Sequence, residues 1–206
     1  DDTVVPIWTQ NQKGMQGHRI TNLEHLNNLN SAWFFGARQA IQTAKHLQEL
    51  GAHKQNANRV LEPYQHIKVI VTASNYDNWF KLRYHKDAQG EIAELAKAMA
   101  AEMYMNKPTT LTKGEWHLPY IAEETYIGCM NEANRLNKIA EEAATSGTEI
   151  AKAVSASCCA QVSYRLLDTS IEKAMSIFKK LVGGEPLHAS PFEHQATPCR
   201  VGTEKG

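Results

Sequence analysis

The chain has 206 residues, enough for one domain with a substantial core. Lysine plus arginine and aspartate plus glutamate both total 22, so the formal net charge is zero and no overall basic field attracts a nucleic-acid polymer. No apolar run approaches the roughly 20 residues that cross a bilayer, and the first residues are not typical of a signal peptide. We therefore expect a cytoplasmic protein with no membrane partner.

The first part of the chain alternates polar segments with helical patterns. Residues 1–30 are polar and irregular, and we expect an extended N-terminal arm there. Residues 31–50 keep one apolar face at helical spacing. Ser31 is the expected N-cap of this helix, and Gly51 is the expected stop. Residues 53–62 predict a short helix that ends before the following proline.

A run of β-branched residues comes next, over residues 66–73. It is the best strand candidate in the chain, because β-branched side chains suit a pleated sheet. Ser74 and Asp77 resemble an N-cap with an acidic first turn, and a short helix is expected after them. Residues 87–105 predict a second strong helix, with apolar residues on one side.

The second half is again helical in pattern. A helix is expected from about residue 123 to residue 145, interrupted at Ser146 and Gly147 and resuming through about residue 163. Residues 170–181 predict a further amphipathic helix that ends at two glycines. A second strand is expected near residues 194–197.

Most of the predicted elements are helices, with one clear strand and a second candidate. That pattern predicts an α+β fold in which helices pack on a small sheet. We expect a single domain over residues 31–198, preceded by the arm and followed by a polar tail over residues 199–206.

The cysteines have no zinc-ligand spacing, and no metal site is expected. Reduced, partly buried thiols are the expected state. A nucleophilic cysteine is disfavoured because no cation cluster or helix N-terminus is visible to lower a thiol pKa. The four cysteines are Cys129, Cys158, Cys159 and Cys199.

Two arginines flank the predicted strand in sequence. Arg59 and Arg83 each have apolar neighbours, which is typical of a snorkelling or ion-paired surface residue. The alternative is a planar fork for a phosphate or a pyrimidine carbonyl. His188 and His194 bracket a loop with serine, proline and glutamate, which is either an ordinary hydrogen-bonded loop or a ligand-binding one.

Four segments together resemble the flavin-dependent thymidylate synthase family, in its longer, phage-associated form. The most specific is Asn-Trp-Phe-Lys-Leu-Arg at 78–83, followed by Asp-Ala-Gln-Gly-Glu-Ile at 87–92. The others are Asn-Arg-Val-Leu-Glu-Pro at 58–63, Cys-Ala-Gln-Val-Ser-Tyr at 159–164 and His-Ala-Ser-Pro-Phe-Glu-His at 188–194. The arm at 11–16 and the segment at 116–120 also look like this longer form.

The resemblance implies a role for each matching position. Arg83 resembles the catalytic arginine that holds and polarises the uracil ring, and Arg59 resembles an arginine on the nucleotide substrate. The residues implied at the flavin and folate are Asn78, Ser163, His188 and Ser190.

The implied reaction is the reductive methylation of deoxyuridine monophosphate (dUMP) to dTMP. FAD is the implied cofactor, and NADPH and 5,10-methylenetetrahydrofolate are the implied co-substrates. No cysteine adduct is needed, because an arginine fork at the uracil carbonyls stabilises the developing negative charge. The resemblance also implies a homotetramer and a small, mainly antiparallel sheet under the helices.

Three departures from the family pattern leave alternatives open. The Ser163 and Ser190 segments follow the Arg83 segment, an order that the longer form shares and the short members do not. The Arg-His-Arg-x-x-Ser type motif, which contacts flavin and phosphate, is not in this stretch, and we expect it upstream of Asp1. Gln161 stands where the family usually has arginine. One alternative is a catalytically incomplete nucleotide-binding, flavin-binding or assembly module of the same family. Another is a helical interaction protein whose arginines are ordinary surface residues.

Overall fold

The computed structural model describes residues 3–14, 17–139, 145–163 and 166–198. None of the helices in these ranges is both long enough and apolar enough to span a membrane. The predicted tail at 199–206, Cys199, Tyr164 and the predicted helical residues 140–144 lie outside them. The α-helices are α1 (Leu23–Glu49), α2 (Lys54–Ala57), α3 (Asp77–Arg83), α4 (Gly90–Met105), α5 (Glu123–Ile139), α6 (Gly147–Ala160) and α7 (Ile171–Val182), with 3₁₀ helices at Asn58–Tyr64 and Ser190–Phe192.

The chain divides into two compact units. The first contains Asp1–Ile67 and Ser74–Lys107, and the second contains Lys68–Ala73 and Pro108–Gly206.

The predicted α+β fold with a small, mainly antiparallel sheet is wrong. The structure is dominated by helices, and its described residues form no sheet. The pairing within them consists of two isolated antiparallel bridges, Thr9 with Arg19 and His117 with Ala196. The second bridge falls within the predicted strand at 194–197, which is reduced to this single pair.

Residues 66–73 lie outside regular secondary structure, so the predicted strand there is also wrong. The side chains of Ile67, Val69 and Val71 are 78%, 64% and 62% exposed. β-branched side chains favour an extended backbone, but a sheet also needs a neighbouring strand about 4.8 Å away. No strand of the described chain forms a ladder with this segment.

In the first unit, α1 begins at Leu23, earlier than predicted. Its N-cap is Asn22, whose side-chain oxygen accepts a hydrogen bond from the His25 backbone N–H, so Ser31 lies inside the helix. The preceding segment packs against α1 through two indoles. Trp8 Nε1 donates to Asn30 Oδ1 at 2.7 Å, and Trp33 Nε1 donates to the Val4 carbonyl at 2.7 Å.

The start of α3 is held by Asn75 and not by the predicted Ser74. Asn75 Oδ1 accepts from the Asp77 backbone N–H at 2.6 Å, and its amide nitrogen donates to the Asp77 carboxylate at 2.9 Å. α3 packs against α4, whose carboxylates hold the N-terminal segment. Ile7 N donates to Glu91 at 3.0 Å, and Arg19 forms an ion pair with Glu94 at 2.9 Å.

The second unit is built around α6. This helix contacts α5, α7 and the second 3₁₀ helix, and every residue from 153 to 159 is buried. Ser146 caps its start by accepting from the Glu149 backbone N–H, and Ser170 caps α7 in the same way through Lys173. The interruption predicted at Ser146 and Gly147 is therefore the boundary between α5 and α6.

Substitutions of Gly147 and Gly128 provide a test of how closely α5 and α6 pack. A Cβ added to Gly147 would lie 2.9 Å from Met130 Cα, whereas nothing lies within 4 Å of a Cβ added to Gly128. We expect Gly147→Ala to lower the free energy of unfolding by about 1–3 kcal/mol, because backbone atoms of α5 must shift. Gly128→Ala should raise it by about 0.5–1 kcal/mol through helix propensity. Urea denaturation measures both, and equal effects would contradict this packing.

Candidate functional site

A cavity of about 630 Å³ in the second unit contains part of the predicted site. Its polar side chains are those of Lys68, Cys159, His188, Ser190 and His194. The remaining walls are aliphatic residues, alanines and a proline from the 68–70 segment, the end of α6, α7 and the following loop. The site therefore combines a mostly apolar wall with a few basic or hydroxyl-bearing groups.

The loop after α7 positions His188 and Ser190. α7 ends at Val182 with Gly183 as its C-cap, and the chain turns back so that the His188 backbone N–H donates to the Leu181 carbonyl at 3.2 Å. The second 3₁₀ helix follows at Ser190. Phe192 at its end packs edge-on against Phe178 of α7, with ring centroids 5.8 Å apart. This aromatic contact fixes the loop against a helix.

His194 is held by the 68–73 segment. Its Nδ1 lies 3.0 Å from the Thr72 hydroxyl, within hydrogen-bond distance. Because this bond uses Nδ1, Nε2 is the ring nitrogen available to a ligand in the cavity. The segment predicted as a strand thus lines a cavity in this unit.

The structure brings some of the predicted flavin and folate residues together. His188 and Ser190 both line the cavity, together with Cys159 and Val162 from around the end of α6. Ser163 is exposed and follows Val162 directly, so the predicted position is displaced from the wall by one residue.

The other predicted residues belong to the first unit, and they lie on different elements there. Arg59 is exposed on the 3₁₀ helix that packs against α1 and α2. Asn78 is exposed in the first turn of α3, and Arg83 is the half-buried last residue of the same helix. Five residues correspond to about 140° around a helix, so Asn78 and Arg83 project from different sides.

A second cavity of about 630 Å³ lies in the first unit, and its lining includes the residues that directly follow Arg83 in sequence. It is lined by residues 84–86, the first turns of α4 and part of the N-terminal segment, including Arg19. Glu94 lines it too, and the pKa of that carboxyl is lowered by its hydrogen bond and ion pair with Lys97 and by Arg19. Cations and carboxylates are thus mixed in this cavity.

The buried thiols are poor nucleophiles. Cys129, Cys158 and Cys159 are buried and form no disulfide. Burial, with smaller contributions from Cys159 and Asp168, raises the pKa of Cys158 to about 11. Burial likewise raises the pKa values of Cys129 and Cys159. The thiolate is the nucleophile, so these shifts suppress reactivity near neutral pH.

Gln161, where the family usually has arginine, has a structural role. Its side chain is buried, and Nε2 donates to Ser157 Oγ at 3.0 Å and to the Asp168 carbonyl at 3.1 Å. Oε1 accepts from the Asp168 backbone N–H at 3.4 Å. An arginine has no acceptor and could not make this last bond. Gln161 therefore ties the loop before α7 to the end of α6.

The sequence pattern indicates no role for Lys68 or Thr72, and it marks His194 as the end of the 188–194 loop and the start of the second predicted strand. The signal is the 66–73 segment itself, whose pattern predicts a strand but whose residues 68–70 line the cavity. Within the described residues, no group of three or more His, Cys, Asp or Glu side chains could hold a metal ion. No match to this chain was found among protein-family models, curated proteins or solved structures.

Replacing Gln161 with methionine keeps its size and removes its hydrogen bonds. We expect Gln161→Met to lower the free energy of unfolding by about 1–3 kcal/mol, because the polar groups of Ser157 and Asp168 lose their partner. Gln42→Met, an equivalent change at an exposed position of α1, should change it by no more than about 0.5 kcal/mol. Chemical denaturation of both variants measures the difference. Equal losses would show that the Gln161 bonds do not stabilise the fold.

The thiol pKa values also predict how stability depends on pH. A thiol with a raised folded pKa keeps its proton when the unfolded chain has already lost it, so folding becomes less favourable as pH rises. Stability should therefore fall between about pH 9 and pH 11, by up to about 1.4 kcal/mol per pH unit for Cys158. Cys158→Ala should reduce this slope in denaturation measured across that range. An unchanged slope would contradict the assignment to Cys158.

Proposed function

We propose that this chain is a flavin-dependent thymidylate synthase that reductively methylates dUMP to dTMP. The observation that carries the proposal is the cavity shared by His188 and Ser190, two positions that the resemblance assigns to the flavin and folate. Its mostly aliphatic walls suit a planar ring system, and a few polar groups provide orientation, as in most cofactor sites.

Arg83 is the group proposed to act on the uracil. It ends α3 and is half-buried, which leaves its guanidinium donors accessible to a ligand. A planar guanidinium can donate to uracil carbonyls and stabilise negative charge as the ring becomes electron-rich. Arg59 is proposed to bind the nucleotide, and Asn78 to contact the flavin.

The state of the thiols supports a route without a cysteine adduct. Cys159 is the thiol that lines the cavity, and burial raises its pKa. It is therefore protonated near neutral pH, where it is a weak nucleophile. In the proposed reaction, FAD bound at the cavity supplies reducing equivalents that come from NADPH, and 5,10-methylenetetrahydrofolate supplies the carbon. The chain's own residues bind and orient these molecules.

Self-association as a homotetramer and a cytoplasmic location are parts of the same proposal. Exposed apolar side chains support self-association: on α4, Leu95 is 52% and Met103 is 55% exposed. Exposed apolar side chains of this kind are available to an interface between copies of the chain.

A second candidate is a catalytically incomplete module of the same family that binds nucleotide or flavin, or takes part in assembly. It shares with the first candidate the cavity that contains His188 and Ser190, and it differs in having no nucleotide-dependent turnover.

Turnover separates the two candidates. If the enzyme proposal is correct, the purified protein binds FAD, seen as flavin absorbance, and oxidises NADPH with folate only when dUMP is added. Arg83→Ala should reduce this dUMP-dependent rate by about 100-fold or more, the scale of losing a transition-state donor. Lys81→Ala, an exposed change on the same helix, should leave it unchanged.

Equal rates for Arg83→Ala and the unchanged protein would refute the role of Arg83. Flavin binding without dUMP-dependent oxidation in the unchanged protein would favour the incomplete module.

A further inference from the structure

The cavity that contains His188 and Ser190 is lined by basic side chains and not by acidic ones, among the described residues. Its titratable lining residues are Lys68, His188, His194 and Cys159, and no aspartate or glutamate lines it within the described part of the chain. The cavity in the first unit mixes cations with Glu91 and Glu94. Another cavity of the second unit, of about 650 Å³, has Glu115 and Glu123 among its lining residues and no lysine, arginine or histidine.

Lys68 provides the fixed positive charge of this site. It lies between Ile67 and Val69 in the extended segment, and the neighbouring residues Val69 and Ile70 also line the cavity. A lysine ammonium carries a full charge at neutral pH and three donors, which suits an anion approached as a point charge.

His194 provides a directional partner for the same ligand. The Thr72 hydroxyl, four residues after Lys68 in the same segment, engages His194 Nδ1 at 3.0 Å. One short segment thus both contributes the ammonium and orients an imidazole. The resulting arrangement is a cation and a ring nitrogen next to an apolar wall that contains Val162 and Leu187.

We propose that Lys68 is the anion-binding residue of this cavity, and that the ligand is an organic anion with a planar, apolar body. The ring system packs on the aliphatic wall, and its phosphate, sulfonate or carboxylate is bound by Lys68 with His194. The proposal deepens the proposed function, and it rests on that function for the identity of a flavin ligand. The preference for an anion rests on the cavity alone.

Two matched probe pairs test this inference. Riboflavin and FMN share the isoalloxazine ring and differ by a phosphate. N-phenyl-1-naphthylamine and 8-anilinonaphthalene-1-sulfonate share an aromatic body and differ by a sulfonate. In the unchanged protein, the anionic member of each pair should bind about threefold to tenfold more tightly, as expected for one partly solvated charged contact. Fluorescence titration measures all four affinities, and NMR shifts of the His188 and His194 rings report binding at the cavity.

Lys68→Gln should remove the preference for the anion while leaving the affinity for the neutral member unchanged. Lys68→Arg should retain the preference, because it keeps the charge. Lys45→Gln, the same charge change on an exposed position of α1, should also retain it. Circular dichroism and thermal unfolding confirm that each variant is folded.

The outcomes separate this inference from the proposed function. If the sulfonate pair is discriminated through Lys68 but neither flavin binds, the anion site stands and the flavin assignment fails. If flavins bind and Lys68→Gln still prefers FMN, the flavin assignment stands and Lys68 is not the anion-binding residue. The inference also fails if no probe shifts the two histidine rings, or if the neutral members bind as tightly as the anions.

Discussion

Burial of residues 153–159 of α6 on all sides is the constraint on which the second unit depends. A helix surrounded by neighbours must carry side chains that are both apolar and small, so that backbones can approach closely. The α6 sequence meets this requirement, because residues 153–159 are alanine, valine, serine and cysteine. Their small volume allows α5 and α7 to pack against the same helix, and Gly147 permits a close approach of α5 at its start.

The polar atoms on this buried helix determine where the surrounding loops lie. Ser155 Oγ donates to the Pro119 carbonyl at 2.9 Å, which fixes the segment before α5. The Lys152 carbonyl accepts from Gln195 at 2.8 Å, and the Lys152 ammonium lies 3.8 Å from the centre of the Trp116 ring. Each buried polar group needs a partner, so the loops are held where they satisfy α6. The cavity forms where one of these loops meets the end of α6.

The sequence predicted best those features that depend on neighbours in the chain. The predicted break at Ser146 and Gly147 and the predicted helix from residue 170 agree with the structure, where Ser146 and Ser170 cap α6 and α7 through contacts across three residues. The prediction of a strand at 66–73 is wrong, because strand formation depends on a neighbouring strand that local pattern does not specify. The predicted N-cap of α1 is wrong because Asn22 lies in a polar stretch whose composition is typical of a loop. Hydrogen bonds of Trp8 and Trp33 hold the N-terminal segment against this part of α1.

The distribution of charge at the site is likewise not predictable from local sequence pattern. A net charge of zero argues against nonspecific nucleic-acid binding, but it does not reveal how the charges are distributed. In the structure, carboxylates line two of the cavities described here, whereas the cavity with His188 and His194 has a lysine and two histidines but no carboxylate among its described lining residues. Lys68 contributes to that difference from a segment whose composition indicated only β structure. Selectivity for an anion therefore depends on which side chains the fold brings to one wall. In this cavity, the histidines of the 188–194 loop lie on the same wall as Lys68, which is more than a hundred residues away in sequence.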